Sequence, residues 1–204
     1  MEPTSLTTER LLLRPFGPQD ADVVYTACQD PQISRFTPVP SPYTREHAET
    51  YVSRTCPDGW REDTAYSFAL VTKDEGQFVG AMALVRLQQL RTPERQAELG
   101  YWTAKERRGR GYTAEAGREV ARWAFRELGV ERLEWVADAA NTASRAVALK
   151  IGFVMEGTLR AKIPHGGTRR DARTGSLLPY DLGLPSETPY LPYGGNLPDV
   201  PGGD

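Results

Sequence analysis

The chain has 204 residues and a mass of 22.7 kDa, the size of one domain with a short appendage. Hydrophobic residues make up 39% and charged residues 25%, a balance that permits a sizeable core and argues against global disorder. The formal net charge of -2, from 25 basic and 27 acidic residues, disfavours a nucleic-acid partner and confines any anion site to a local patch.

No stretch approaches the roughly 18 apolar residues of a membrane span. The first residues, with Glu2 and an apolar run broken at Arg14, lack the pattern of a secretory signal. Two cysteines and two distant histidines supply neither a disulfide framework nor a metal cluster, so no metal is expected. A reducing, cytoplasmic setting with no membrane partner fits this usage.

Residues 11–14 read as a first strand. Pro18, Asp20 and Asp22 then favour a helix start, and Ala21, Val24, Tyr25 and Cys28 give it an apolar stripe. A Pro-rich connector at 37–43 leads to Thr44, an N-cap for a second helix through Thr55. Residues 66–71 and 78–84 form a hairpin around Glu75-Gly76, 86–96 is a polar loop, and 98–102 is a further strand. The long helix from Tyr112 spaces Ala116, Val120, Ala124 and Leu128 four apart and stops at Gly129. A strand at 133–137 follows, then a short helix capped by Asn141 and ended by Gly152. Residues 153–161 and 176–183 read as two last strands, with Tyr180 facing the groove, around a basic loop at 165–173.

The expected fold is therefore α/β (α+β): one mixed central sheet of about seven strands flanked by about four helices, over residues 1–184. Residues 185–204 hold five prolines and four glycines without Lys or Arg, and read as an extended or disordered tail.

The stretch that carries chemistry is RGRGYTAEA at 108–116. Gly109 and Gly111 let the main chain turn its N–H groups toward a ligand, and the helix that opens behind them brings unpaired donors and a partial positive charge. Such a junction suits phosphate. A Walker loop is absent. Gly109, Gly111 and Ala114 match the dinucleotide fingerprint literally, with Glu131 or Glu134 near the acidic spacing, but five mostly polar residues separate them from the strand and about half the chain precedes them without a βαβ repeat.

Taken with TTERLLLRPF at 7–16, AELGYW at 97–102 and NTASRAVALKIGF at 141–153, this stretch resembles the GNAT superfamily of N-acetyltransferases, in particular the branch of ribosomal-protein N-terminal acetyltransferases. Arg108, Gly111 and Thr113 stand at the specified positions of that family's Q/R-x-x-G-x-G/A signature, with Thr113 as the departure. The resemblance implies a sheet splayed between the fourth and fifth strands and acetyl-CoA as cosubstrate. Its diphosphate would rest on main-chain N–H groups of Arg108, Gly109, Arg110, Gly111, Tyr112 and Thr113, with Arg108 and Arg110 adding charge. Main-chain groups of Gly100, Tyr101, Trp102 and Thr103 would pair with the pantetheine arm, and Asn141 would touch it. Glu98 is implied as the base for the acceptor amine, and Ser144 as the donor to the departing thiolate. The acceptor, a peptide N-terminus or a small-molecule amine, is shaped by residues 36–43, 87–95 and 165–173, and a homodimer is among the expected assemblies. The rival readings are a non-catalytic acyl-CoA-binding module on the same fold and, on the fingerprint alone, a dinucleotide-binding oxidoreductase.

Overall fold

A computed structural model describes residues 1–192. Its frame is an eight-stranded mixed sheet in the order β1-β2-β3-β4-β5-β6-β8-β7. Strands β1 (Leu6–Thr7), β2 (Leu11–Pro15), β3 (Ala65–Thr72), β4 (Phe78–Val85) and β5 (Gln96–Thr103) form an antiparallel meander. Helix α5 (Tyr112–Glu127) crosses over to β6 (Arg132–Asp138), which runs parallel to β5. Helix α6 (Thr142–Ile151) then leads into the hairpin of β7 (Val154–His165) and β8 (Thr168–Leu177), with β8 paired to β6.

Both faces of the sheet are covered. Val120, Ala121 and Ala124 of α5 pack with Leu99, Leu133 and Trp135 beneath them, together with Ile151 of α6. The opposite face holds a second core, built from Phe16, Ala69 and Ala81 against α1 (Ala21–Ala27), α2 (Pro31–Phe36) and α3 (Arg45–Thr50). Local chemistry sets the helix starts. Asp30 accepts from Gln32 N at 3.0 Å ahead of Pro31, Thr44 from His47 N at 3.2 Å, and Asn141 from Ser144 N at 3.0 Å.

Several expectations are corrected. A two-residue strand, β1, precedes the expected first one. The second helix does not stop at Thr55: a π-helical turn (Tyr51–Thr55) carries it into α4 (Cys56–Arg61), where Pro57 occupies a first-turn position that needs no N–H partner. That extension delivers Trp60 to the core, stacked on Tyr66 at 4.5 Å, edge-on to Phe68 at 5.3 Å, with its indole N–H on Ser67 O at 3.1 Å. The polar loop at 86–96 contains a 3-10 turn (Leu87–Arg91) that buries Leu87. The basic loop at 165–173 is mostly strand, because Gly166 and Gly167 both take positive φ and close a tight turn. Its charged residues Arg169, Asp171 and Arg173 lie exposed on the hairpin, with Arg170 half-buried between them. The last strand ends at Leu177, and Tyr180 lies not on a strand but on a 3-10 turn (Pro179–Leu182), 79% exposed.

At the start of the expected tail, Ser186 hydrogen-bonds the Glu131 carboxylate, Glu187 N donates to Glu131 at 3.0 Å, and Arg95 pairs with Glu187. Residues 193–204 lie outside the described residues.

Trp60→Ala empties a fully buried aromatic site and is expected to cost about 3–5 kcal/mol of unfolding free energy, read by urea denaturation. Trp60→Phe should recover part of the loss while leaving Ser67 O without its donor.

Candidate active site

Parallel strands β5 and β6 pair only through Gln96–Arg132, Ala97–Leu133 and Glu98–Glu134. Beyond Glu98 the two strands part, although β5 continues to Thr103 and β6 to Asp138. The hydrogen-bonding parity of the outer ladders identifies the groups left facing the gap. Ala104 N donates to Val79 O at 2.9 Å, so in the unbroken β4–β5 register Trp102, Gly100 and Glu98 turn their main-chain groups to β4. Leu99, Tyr101 and Thr103 turn theirs to the gap. From the other side, Ala139 N donates to Asp171 O at 2.8 Å, which leaves Glu134, Val136 and Asp138 facing β5. The expectation that Gly100 and Trp102 offer main-chain partners is thereby corrected, and Leu99, absent from the sequence reading, joins Tyr101 and Thr103. Only the ladder parity reveals this; no motif encodes it.

The glycine turn stands beside this gap. Gly109 and Gly111 have φ of 76° and 80°, where a Cβ is strained, and Gly111 is the N-cap of α5 without any side-chain cap. The first helical bond runs from Glu115 N to Gly111 O at 3.0 Å. Among the described residues, the N–H groups of Gly109, Arg110, Gly111, Tyr112, Thr113 and Ala114 donate to nothing. A set of free donors at the start of a 16-residue helix is an anion site.

The turn is braced from three sides. Arg108 donates through Nε to Thr103 O at 3.1 Å and reaches Asp30 Oδ2 at 2.5 Å. Its charge is thus committed to Asp30, the cap of α2, so Arg108 is a strut, and Arg110 is the arginine of this turn whose side chain is bonded to no group among the described residues. The Thr113 hydroxyl lies 2.6 Å from that of Thr103 and is buried, so its bulk is turned away from the free donors. The third brace escaped the sequence reading. Arg10 donates to Arg110 O at 3.1 Å, lies 4.6 Å over the Tyr112 ring, and binds the Glu115 carboxylate, which also accepts from Thr8 at 2.5 Å. Partial burial opposes ionisation of Glu115, but the bonds from Thr8 and Arg10 win and hold it below its ordinary range. The signal lay in the TTER run at 7–10, too short to pair with a position 105 residues away.

On the α6 side of the gap, Ser144 sits at a crossing of two strands. Trp135 Nε1 of β6 donates to Ser144 Oγ at 3.0 Å, Tyr101 Oη of β5 donates to Ser144 O at 2.9 Å, and Ser144 Oγ reaches Tyr101 Oη at 3.3 Å. Trp135 has only a proton to give, so the serine accepts there, and its own proton goes to Tyr101 Oη, which has given its proton to Ser144 O. Burial pushes the Tyr101 phenol up to about 12, which keeps it a neutral donor. Trp135, which no motif marks, orients the Ser144 hydroxyl through its indole. Asn141 caps α6 beside it.

Glu98 occupies the last paired position before the strands part, on the other face of β5 from Tyr101. Burial pushes its carboxyl up; Arg86 and Lys162 pull it down, and Glu134 pushes it up again. Its Oε2 is 2.9 Å from Arg86 Nε yet buried and unaligned for a hydrogen bond, so the carboxylate keeps accepting capacity. Gly100 and Trp102 follow on the same face. The predicted residues therefore divide: the glycine turn, Tyr101, Thr103, Asn141 and Ser144 serve one face of the gap, and Glu98, Gly100 and Trp102 the other. Among the described residues no group of three or more His, Cys, Asp or Glu is placed to hold a metal ion.

Inorganic pyrophosphate should raise the melting temperature of the wild-type protein in thermal shift. Gly111→Ala, forced into a positive φ, should lower the basal melting temperature and reduce that increment by half or more.

The family model described as an acetyltransferase (GNAT) domain matches residues 10–154. The uncharacterized N-acetyltransferase YoaA of Bacillus subtilis is 27% identical over 173 residues, covering 85% of this chain and 96% of its own. Two solved structures share the fold. The ribosomal-protein-S5-alanine acetyltransferase of Vibrio fischeri is 21% identical, with a TM-score of 0.73 over 86% of this chain and 96% of its own. RimJ of Mycobacterium smegmatis, solved with a CoA disulfide, is 21% identical, with a TM-score of 0.72 over 88% of each chain. With a split sheet, a donor-rich helix start beside it and a family match over most of its length, this chain belongs to the GNAT acetyltransferases.

Proposed function

We propose that the protein moves acetyl from acetyl-CoA to an amine by direct attack in a ternary complex, with the cofactor on the α5 side of the sheet and the amine on the Glu98 side. The observation that carries this reading is the gap itself, where two neighbouring strands inside the sheet stop pairing after Glu98–Glu134 and leave main-chain groups facing each other. The residues present fit the cofactor. Six free N–H donors suit a diphosphate, and Leu99 O, the main-chain groups of Tyr101 and the Thr103 N–H, which face the gap, suit the amides of a pantetheine arm added as a strand. When bound, acetyl-CoA supplies the acyl group as a thioester.

The chain's own residues then divide the work. Glu98 takes the proton that the acceptor amine must lose before it attacks, directly or through water; burial has raised its affinity for that proton toward the working range. Arg86 keeps the carboxylate from being neutralised outright. Ser144, its lone pair engaged by Trp135, turns its hydroxyl proton from Tyr101 Oη to the departing thiolate. A main-chain N–H on the β5 edge stabilises the oxyanion, and no acyl-enzyme is formed, since holding two substrates in line supplies much of the rate.

Glu98→Gln should lower kcat about a hundredfold with the Kd for acetyl-CoA, by isothermal titration, changed less than about twofold. The acid limb of kcat/KM should lie above the ordinary carboxylate value of 4.5 in the wild type and vanish in Glu98→Gln. Arg86→Gln removes a cation that favours the ionised carboxylate, so its acid limb should move to higher pH. Thiol release with a panel of amines, read by a disulfide reagent, tests the reading as a whole. Tight acetyl-CoA binding without thiol release from any amine would replace it with a non-catalytic binding module.

A further inference from the structure

A second cavity lies on the acceptor face of the sheet. It encloses about 540 Å³ among Val24 of α1, Cys28 at the end of that helix, Val39 and Tyr43 of the connector, Tyr51, and Trp102 of β5. Its character is apolar and fixed. Val24 and Cys28 are buried, Phe78 backs Trp102 at 5.8 Å, and Phe16 meets Tyr51 edge-on at 5.2 Å. Burial pushes the Cys28 thiol up to about 12 and the Tyr43 and Tyr51 phenols above their ordinary range, so these groups stay neutral near pH 7. The polar residues Glu46 and His47 of α3 also border it, and His47 Nδ1 is already engaged by Thr44 N at 3.1 Å.

Trp102 ties this cavity to the reacting centre. Glu98, Gly100 and Trp102 alternate along one face of β5, each about 7 Å from the next. A Cβ built on Gly100 would meet nothing within 4 Å, so the floor between the carboxylate and the indole is open. An amine placed over Gly100 has Glu98 on one side and the mouth of an apolar cavity on the other.

Resting on the acetyl-transfer reading above, we propose that this cavity receives the apolar part of the acceptor, which makes the substrate class amines with an aromatic or branched aliphatic group a few bonds from the nitrogen. An arylalkylamine and a peptide beginning with Phe or Leu share this chemistry. A pocket of this size with a largely apolar wall discriminates by burial, and a small hydroxylated or methyl-bearing amine leaves it filled only with water.

The test compares matched acceptors at saturating acetyl-CoA: 2-phenylethylamine against ethylamine, and lysine-free heptapeptides that differ only in Phe or Ser at the first position. The apolar member of at least one pair should show a kcat/KM about tenfold or more above its partner, and the pair that does so identifies a small-molecule or a peptide source. Val39→Asp places a carboxylate in the wall from the connector and should bring that ratio toward one, with an unchanged Kd for acetyl-CoA as the check on folding. Ratios near one or favouring the small polar member in both pairs, or a wild-type ratio retained in Val39→Asp, would overturn the proposal. Should no amine release thiol, the acetyl-transfer reading fails and the cavity is read by binding. Isothermal titration with CoA present then supports the pocket if 2-phenylethylamine binds about tenfold tighter than ethylamine and Val39→Asp abolishes the difference; equal affinities reject it.

Discussion

A parallel pair of strands that abandons its ladder after three residues creates a debt of hydrogen bonds, and the rest of this protein is arranged around that debt. Sheet interiors do not normally leave main-chain donors and acceptors unpaired, because an unmade buried bond is expensive. Here the separation is held open by construction. Helix α6 and its Ser144 stand at the fork, bonded to Trp135 on one arm and Tyr101 on the other, so the strands cannot zip further without losing those contacts. Arg170 of β8 adds a tie on the β6 arm, reaching Asp138 at 3.2 Å and Arg35 O of α2 at 3.0 Å. The edges held open in this way suit a ligand that carries its own amides.

The second organising contact is remote in sequence. Glu115, in the first turn of α5, is gripped by Thr8 and Arg10 from the turn between β1 and β2, and Arg10 also binds the carbonyl of Arg110. A loop with two left-handed glycines has little intrinsic stiffness. The clamp from the first strands and the Arg108–Asp30 pair from α2 supply it, and they leave the amide nitrogens between them free. Rigidity thus comes from side chains and recognition from main chain, which explains how a threonine is accommodated at position 113: its hydroxyl turns to Thr103.

Much of this was readable in the sequence where one physical rule dominated. The apolar period of α5, the Asn141 cap and the glycine turn each obey a local rule, and each was found at its place. The fold class followed from their order. What stayed hidden depended on partners far along the chain. Trp60 rides on a helix continued past Thr55 by a π turn, a geometry that composition does not announce. The β7–β8 hairpin is dense in arginine because one side meets solvent, and charge density reads as loop. Glu98, Gly100 and Trp102 were visible as residues, but their sharing of one face, opposite to Tyr101 and Thr103, emerged only from strand parity.

That parity has a mechanistic corollary. Two ligands that approach a thin partition from opposite sides do not obstruct each other's entry, so steric occlusion imposes no order of addition on them. A single molecule that bridges sulfur and nitrogen would have to be threaded through the partition, and once seated it would be anchored on both surfaces, with neither end able to slide out without drawing the other through.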